Sequence, residues 1–444
     1  MSRSIPIFLL SIALFAIRAR AQAPPLPAPL PNAQSPGAGT PLTLRQAEAI
    51  AIKNNPQITI GKLRALAAEQ YVREARSALL PTANVSLTAV ASNPGGRITA
   101  GALNNPAVYP RAAGGVSVTQ LLTDFGRTNN LLSSSEFGAR AEDQNAAATR
   151  ADILLAVDQA FYNSLETKAL VTVAEETVHA RQTLVDKIQA LTNAKLKSEI
   201  DLSFSSVDLA RGKLLLLEAQ NNFQASLAGL SAILGYPDEQ NFQLVEEPSP
   251  ITEPDLDVAP LIQKALEQRP EIKALEFQLE SAQKFGRAEH DLRRPTVDAL
   301  GVVGEAPVRD NHIPNWYGAV GVNINIPVFN GFLYSARAKA ADLLTEADRQ
   351  KLLDTQNNIA RDVRNAWQDS RRAFERLSVT QQLLEQANLS LSLAQARYNL
   401  GLGSIVEFTQ AELQKTEADI DDTDAKYQYR LTQIVLAFTM SAPN

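Results

Sequence analysis

Hydrophobic and polar residues follow two different periods along the chain. In four short segments they alternate one by one, which is typical of a β-strand with one apolar face. The apolar positions of these segments are Val85, Leu87 and Ala89; Val116 and Val118; Val297, Ala299, Gly301 and Val303; and Val320, Val322, Ile324 and Ile326. The pattern predicts strands at about residues 82–91, 113–122, 295–304 and 317–327. Each has about ten residues, the length of a tilted strand that spans a membrane.

Two long tracts, between Pro110 and Pro237 and between Pro327 and Pro443, contain no proline. A proline in a helix interior costs about 3 kcal/mol, so tracts of this length without proline are typical of long helices. They predict a helix at about 127–193 that returns at 198–234, and a helix at about 332–399 that returns at 404–439. At a rise of about 1.5 Å per residue, each of the longer helices would be roughly 100 Å long.

Four motifs occur twice, which indicates a tandem duplication. Two pairs are displaced by 214 residues and two by 206. The pairs are Asn55–Ile58 with Arg269–Ile272, Leu80–Thr82 with Arg294–Thr296, Val157–Phe161 with Val363–Trp367, and Ser198–Asp201 with Ser404–Glu407. The first repeat is predicted at 43–236 and the second at 257–440, with a linker segment at 237–256. Because the displacement falls from 214 to 206, the first repeat is eight residues longer than the second between Pro81 and Val157. Loops are expected in this stretch.

The first residues have the pattern of a secretory signal peptide. Arg3 is followed by an apolar stretch from Ile5 to Ile17 and by cleavage patterns that end at Ala21 and Ala23. We therefore predict a signal peptide at 1–23, cleaved after one of these two alanines, and export from the cytoplasm. The proline-rich stretch that follows predicts an extended linker at 24–42.

Composition excludes several classes of function. The chain has 444 residues, 42 Lys and Arg against 48 Asp and Glu, three His and no Cys. The absence of Cys excludes disulfides and thiolate metal sites, and the acidic balance argues against nucleic acid. No motif of a hydrolase, a nucleotide-binding loop or a zinc protease is present, so we predict no enzyme activity, catalytic residue, metal or cofactor. No apolar run in the mature chain reaches 18 residues, so helices are not expected to cross a bilayer.

Four strands cannot close a membrane barrel, since the smallest barrels have eight and an open edge in lipid leaves backbone groups unsatisfied. Oligomerisation is thus required for a membrane role. A dimer would give eight strands with a plugged interior, and a trimer would give twelve with a lumen wide enough for water. The repeat pattern does not choose between them.

Several motifs, in this order, resemble those of the TolC-like outer-membrane efflux proteins. They are Leu44–Pro56 and its partner Val258–Pro270, Gln120–Gly126, Pro327–Gly331 and Tyr398–Glu407. The resemblance covers nearly all of the chain from about Leu42 onward. It implies a chain that is mainly α with membrane β, and a homotrimer with a twelve-stranded barrel in the outer membrane. A long periplasmic α-helical barrel would continue from it, and the segment 237–256 would form part of an equatorial layer.

The resemblance further implies a passive conduit from the periplasm to the exterior, in tripartite efflux or type I secretion. Its partners would be a periplasmic adaptor protein, an inner-membrane transporter and outer-membrane lipid. The alternative from another class is a periplasmic coiled-coil scaffold without a pore. The cargo, whether drug, metal or polypeptide, does not follow from the residues.

The turns between the long helices are the first candidate site. By the resemblance they lie at the periplasmic end and dock the adaptor. Their residues are Lys195, Leu196, Lys197 and Ser198 in the first turn and Leu400, Gly401, Leu402, Gly403 and Ser404 in the second. The alternative is that Gly401 and Gly403 only supply positive φ for a helix reversal. The first turn has Lys195 and Lys197 where glycine is expected, which favours an electrostatic contact there.

Asp201 and Glu407 occupy equivalent places just after the two turns. Threefold symmetry would bring six carboxylates to the entrance, where rings of acid attract cations. The family carries an acid at the position of Glu407, but Gln410 and Gly403 replace an acid and a base that it also has. The alternative is a capping role, since Ser404-x-x-Glu407 is a capping box and Ser198-x-x-Asp201 is nearly one.

Overall fold

The computed structural model describes residues 39, 41–90, 97–100, 103–107, 111–247, 250–306 and 314–440. The predicted signal peptide 1–23 and all of the predicted linker 24–42 except Gly39, Pro41 and Leu42 lie outside the described residues.

In the part of the chain that the structure describes, each repeat has four helices in the same order. In the first repeat they are α1 (Leu44–Asn54), α2 (Pro56–Ser77), α3 (Arg127–Asn193) and α4 (Glu199–Ile233). In the second they are α5 (Ala259–Gln268), α6 (Pro270–Asp291), α7 (Leu333–Asn399) and α8 (Ile405–Met440). The proline-free tracts thus contain α3 and α7, each of 67 residues. The helices α2 and α6 both begin with proline, whose missing N–H needs no partner at this position.

The strands β2 (Thr82–Val90), β5 (Arg111–Thr123), β7 (Thr296–Glu305) and β8 (Trp316–Asn325) form one antiparallel sheet in the order β2-β5-β7-β8. A hairpin of β3 (Arg97–Ala100) and β4 (Leu103–Ala107) lies in the loop between β2 and β5. That loop spans residues 91–110, whereas the loop between β7 and β8 spans only 306–315. The longer loop accounts for the change in displacement between the repeats.

The strand register puts the alternating apolar residues of all four strands on one face of the sheet. Val85 pairs with Val116, and Val116 pairs with Val303. In the next row Val118 pairs with Gly301, which pairs with Val320. This face is open to solvent in the single chain, and Val320 is 92% exposed. Within the described chain the outer edges of β2 and β8 have no partner strand.

The long helices pack side by side. The helix α3 contacts α2, α4, α6 and α8, while α7 contacts α6 and α8. The two repeats therefore meet where α3 packs on α6 and on α8, with α4 and α7 on opposite sides of the seam between α3 and α8. Among the residues described here, no helix has the length and apolarity needed to cross a membrane.

The segment between the repeats is not a bare linker. Its residues Gln243–Leu244 form β6, which pairs in parallel with β1, formed by Pro41–Leu42 at the end of the predicted proline-rich linker. The segment is also tied to the helices, since Lys168 donates to the Leu244 carbonyl at 3.1 Å and Trp367 to the Asp255 carbonyl at 2.7 Å. It thus forms a strap that crosses both repeats.

Candidate docking turns and pore constriction

The ends of α3, α4, α7 and α8 meet at one end of the molecule. Ile188 of α3, Tyr398 of α7 and Phe408 of α8 are buried there in one apolar cluster, with Leu202 of α4 packed against it. Because α3 and α7 run the full length of the helical part, both turns lie far from the sheet. The structure therefore brings the two predicted turns together.

The second turn is closed by backbone hydrogen bonds and leaves two leucines exposed. The N–H of Leu402 donates to the Arg397 carbonyl at 2.8 Å, and Gly401 has φ +75°. An L-residue rarely adopts this conformation, so Gly401 is needed for the reversal. Leu400 and Leu402 are 74% and 68% exposed.

Gly403 does not have the positive φ that the alternative reading assumed. A Cβ atom at this position would lie 3.1 Å from Oε2 of Glu407 and 3.2 Å from Cβ of Arg397. A side chain here would therefore crowd Glu407 and Arg397, which would have to shift by a few tenths of an ångström. The expectation that Gly403 supplies a left-handed turn residue is wrong.

The first turn makes the same reversal without glycine. Lys195, at the place of Gly401, has φ +61° and donates its N–H to the Thr192 carbonyl at 2.9 Å. A left-handed conformation costs a non-glycine residue roughly 1–2 kcal/mol. The side chains of Lys195 and Leu196 are exposed, like those of the second turn.

Lys197 points toward the other repeat. Its Nζ lies 3.9 Å above the ring of Tyr398, which in turn stacks on Phe408 with centroids 5.6 Å apart and planes tilted by 7°. Lys187 adds a second link, because its Nζ donates to Oδ1 of Asn399 at 2.9 Å. Of the two turn lysines, Lys195 is the fully exposed one.

Glu407 is paired within its own chain. Arg397 Nε donates to its Oε1 at 3.0 Å, and another guanidinium nitrogen of Arg397 donates to the Leu402 carbonyl at 3.2 Å. Ser404 Oγ accepts the N–H of Glu407 at 3.1 Å, which is one half of a capping box. The carboxylate of Glu407, however, is directed to Arg397, so it neutralises part of that cation rather than capping the helix.

Asp201 has a different environment. Ser198 Oγ caps α4 by accepting the N–H of Ile200 at 3.2 Å, and the Asp201 N–H bonds to the Ser198 carbonyl. Among the described residues, none donates a hydrogen bond to the Asp201 carboxylate or forms an ion pair with it. Burial, and to a smaller degree the charge of Asp201, raises the pKa of the Tyr398 hydroxyl, which is buried without a hydrogen-bond partner.

A groove runs between α4 and α8 just above the turns, with a volume of about 420 Å³. It is mainly apolar and open. Its lining includes Ile200, Phe204, Val207 and Val406, with Asp208 and Arg211 at its polar end. The groove extends the exposed surface of the turns along the helices.

Sequence reasoning missed Arg397 and Tyr398 as parts of this site. Both precede the second turn, but only Tyr398 belongs to the family motif Tyr398–Glu407, and Arg397 lies just before it. A signal was available for Arg397, since a basic residue in the last turn of a helix commonly bonds the terminal carbonyls. No sequence signal pairs Lys197 with Tyr398, because they lie in different repeats.

Comparison with known proteins gives consistent matches over the chain. A sequence model described as outer membrane efflux protein matches residues 49–236 and 261–441. Similar proteins are the outer membrane protein TolC of Vibrio cholerae, 23% identical over 87% of this chain and 87% of that protein, and of Escherichia coli (strain K12), 20% identical over 88% and 80%. The solved structure of the outer-membrane channel OprN has a TM-score of 0.79 at 18% identity and covers 90% of both chains.

The likeness to these structures confirms the predicted fold class of a mainly helical, tandem-duplicated chain. The family match includes both repeats and leaves out residues 237–260 between them.

Proposed function

The chain belongs to the family of outer membrane efflux proteins, and we propose that it is the outer-membrane channel of a tripartite efflux or type I secretion system. It is then a passive conduit from periplasm to exterior. One observation carries the proposal: the sheet has an exposed apolar face and two unpaired edges, on β2 and β8, within the described chain. Such a face suits a barrel wall that contacts lipid.

Closure of the barrel requires further copies of the chain. Backbone groups at an open strand edge have no partner in lipid, so β2 of one copy would pair with β8 of the next. Three copies give twelve strands and a water-filled lumen, as the family resemblance implies. We therefore propose a homotrimer.

The helices support the same association. Apolar side chains on α4 and α7 are exposed, and these two helices lie on opposite sides of the seam between the repeats. Those of α4 are Ile200, Phe204, Val207, Leu214 and Leu217, and those of α7 include Val379, Leu383, Leu389 and Leu393 in the half of the helix nearer the turns. A cyclic assembly in which α4 of one copy packs on α7 of the next would bury both sets.

The turns are then the end of the tunnel that faces the inner membrane. We propose that their exposed residues, Leu196, Leu400 and Leu402 among them, dock a periplasmic adaptor, which connects the channel to an inner-membrane transporter. The alternative, a periplasmic scaffold without a pore, does not explain why one face of the sheet is apolar and exposed.

The assembly is tested on the purified full-length protein. We expect it to require detergent for extraction and to form a trimer about 130–140 Å long, being about 100 Å of helix and about 30–40 Å of barrel. Sedimentation and electron microscopy measure both quantities. A compact monomer in plain buffer would rule the proposal out.

We also propose that Asp201 and Glu407 form the pore constriction, with six carboxylates in the trimer. The two residues should contribute unequally to cation selectivity. Arg397 compensates the charge of Glu407, whereas Asp201 has no ion pair among the described residues. Charge at a narrow entrance raises the local cation concentration, and salt screens this effect over about 10 Å at 0.1 M.

Cation selectivity should therefore fall more in Asp201→Asn than in Glu407→Gln, and it should rise in Arg397→Gln. Reversal potentials of single variants and of the Asp201→Asn, Glu407→Gln double variant are measured in planar bilayers under a KCl gradient, at low and high salt. The amide replacements keep an acceptor oxygen, so a capping role would cost at most about 1 kcal/mol of helix stability. Unchanged selectivity in all variants would leave only local roles for both acids.

A further inference from the structure

Glu166 on α3 is a buried carboxyl group at the seam between the two repeats, with 8% of its surface exposed. Its carboxyl group lies within hydrogen-bonding reach of the carboxyl group of Asp424 on α8. Arg376 on α7 donates to Oδ2 of Asp424 at 3.0 Å and lies 3.7 Å from Asp421. Three helices from both repeats thus meet at one cluster of charged groups.

Two carboxyl groups can form a hydrogen bond only if one of them carries a proton, because ionised carboxylates only accept. Arg376 stabilises the ionised form of Asp424, so the proton belongs on Glu166. Burial raises the pKa of Glu166 to about 8, and the hydrogen bond and charge of Asp424 act in the same direction against Arg376. The contact between α3 and α8 therefore depends on a proton that is lost in the alkaline range.

Other titratable groups near the pair do not supply a positive charge that would compensate an ionised Glu166. They are Asp421 and Tyr427 on α8, Glu246 in the strap, which accepts from the Tyr427 hydroxyl at 3.1 Å, and Glu218 on α4. None of these carries a positive charge, and Lys168 on α3 donates to the Leu244 carbonyl instead. Ionisation of Glu166 would therefore add a negative charge to an acidic cluster in which, among the described residues, Arg376 is the cation that lowers the pKa of Glu166.

A cavity of about 200 Å³ lies beside the pair. It is bounded by Thr167, next to Glu166, by Ile420, one turn before Asp424, and by Glu218 and Asn222 of α4. Glu166 and Asp424 do not line the cavity, but it has room for several water molecules within about one helical turn of them. Ionisation could thus be accommodated by hydration and separation of the helices, without unfolding of the chain.

We propose that Glu166 and Asp424 form a proton-dependent latch between the two repeats, closed when Glu166 is protonated and open when it is ionised. The folded form with the closed latch binds a proton that the open form releases. The latch therefore stabilises the seam fully only below the ordinary pKa of a glutamic acid, 4.5. Its contribution falls as pH rises above that value and is lost once pH has passed about 8.

Hydrogen exchange of the full-length trimer at pH 6 and pH 9, corrected for the intrinsic pH dependence of exchange, tests the latch. Protection of residues 419–427 should fall about a hundredfold between the two pH values in the wild type, because the open form is already ionised at pH 6 and the closed form releases its proton only near pH 8. In Glu166→Gln the amide donates to Asp424 at any pH, so the fall should disappear. Glu176→Gln, which changes an exposed carboxyl on the same helix, should behave like the wild type.

A second carboxyl pair titrates in a nearby pH range, and the experiment has to distinguish its effect from that of Glu166 and Asp424. Asp158 on α3 lies close to Glu48 on α1, and burial, together with the nearby charge of Glu48, raises the pKa of Asp158 to about 7. Its titration would change exchange in α1, within the first repeat, rather than at 419–427. If Glu166→Gln does not assemble, Asp424→Asn supplies the amide from the other side and should give the same result.

Three outcomes overturn the latch. They are constant protection at 419–427 in the wild type, a fall that persists in the amide variant, and a fall of equal size in the remote helix α6. None of these outcomes bears on whether the trimer conducts, so the latch and the proposed channel function fail independently.

Discussion

Val320→Lys should abolish insertion of the protein into the outer membrane, whereas Asn323→Lys in the same strand should be tolerated. Val320 lies on the apolar face of β8 and is almost fully exposed in the single chain. On the lipid face of a barrel, Lys costs about 2–4 kcal/mol near the bilayer midplane, and a trimer carries it three times. Val320 pairs with Gly301, so the change removes no side-chain packing across the strands.

Asn323 is a matched control because it lies on the opposite face of β8. It pairs directly with Asp298 of β7, so Lys at this position faces a carboxylate across the strands. The measurement is the amount of heat-modifiable trimer in the outer-membrane fraction. Equal insertion of both variants would contradict the assignment of the apolar face to lipid.

Replacing Leu400 and Leu402 together with Asp should reduce export to the level of a strain without the protein, while insertion and trimer formation stay normal. Both leucines are exposed and contribute little to the buried cluster at the turns. Their loss should therefore remove an apolar anchor for the adaptor without changing the backbone. Gly401 is kept, because any side chain there would strain the turn and confuse the result.

Export is measured by susceptibility to substrates of the pump in a strain that carries the matching adaptor and transporter. The double variant Ile251→Asp, Leu256→Asp changes two exposed apolar residues in the strap, far from the turns, and should export normally. Leu400→Met with Leu402→Met keeps apolar contacts and should also retain export. Full export by the Asp double variant would show that the turns bind nothing essential.

The helices and strands could be predicted from sequence because their signals are local. Proline is excluded from a helix interior wherever the helix lies, and alternation with period two follows from the pleat of a single strand. The observed bounds of α3, Arg127–Asn193, coincide with the predicted ones, whereas β8 ends at Asn325, two residues before the predicted end. The end of β8 depends on its pairing with β7, and the local pattern of β8 carries no information about that pairing.

The candidate site could be predicted only in part. The turns and the two acids follow from the internal repeat and the family resemblance, but the partner of each acid does not. Glu407 bonds to Arg397 across the turn, while Asp201 has no such neighbour in the described part of its own chain. Two equivalent positions in the duplicated sequence thus differ in charge compensation, because the residues that face them differ.

The sequence by itself determined the duplication, the two long helices in each repeat and the one-sided apolar strands. These are properties of periodicity and of residues that a helix or strand excludes, so each can be read within its own segment. Only the tertiary structure decided which distant groups meet: Lys197 with Tyr398, Glu166 with Asp424, and Pro41–Leu42 with Gln243–Leu244. Such contacts depend on the rotation and axial register of packed helices, where a shift of one residue turns a side chain by about 100° and away from its partner.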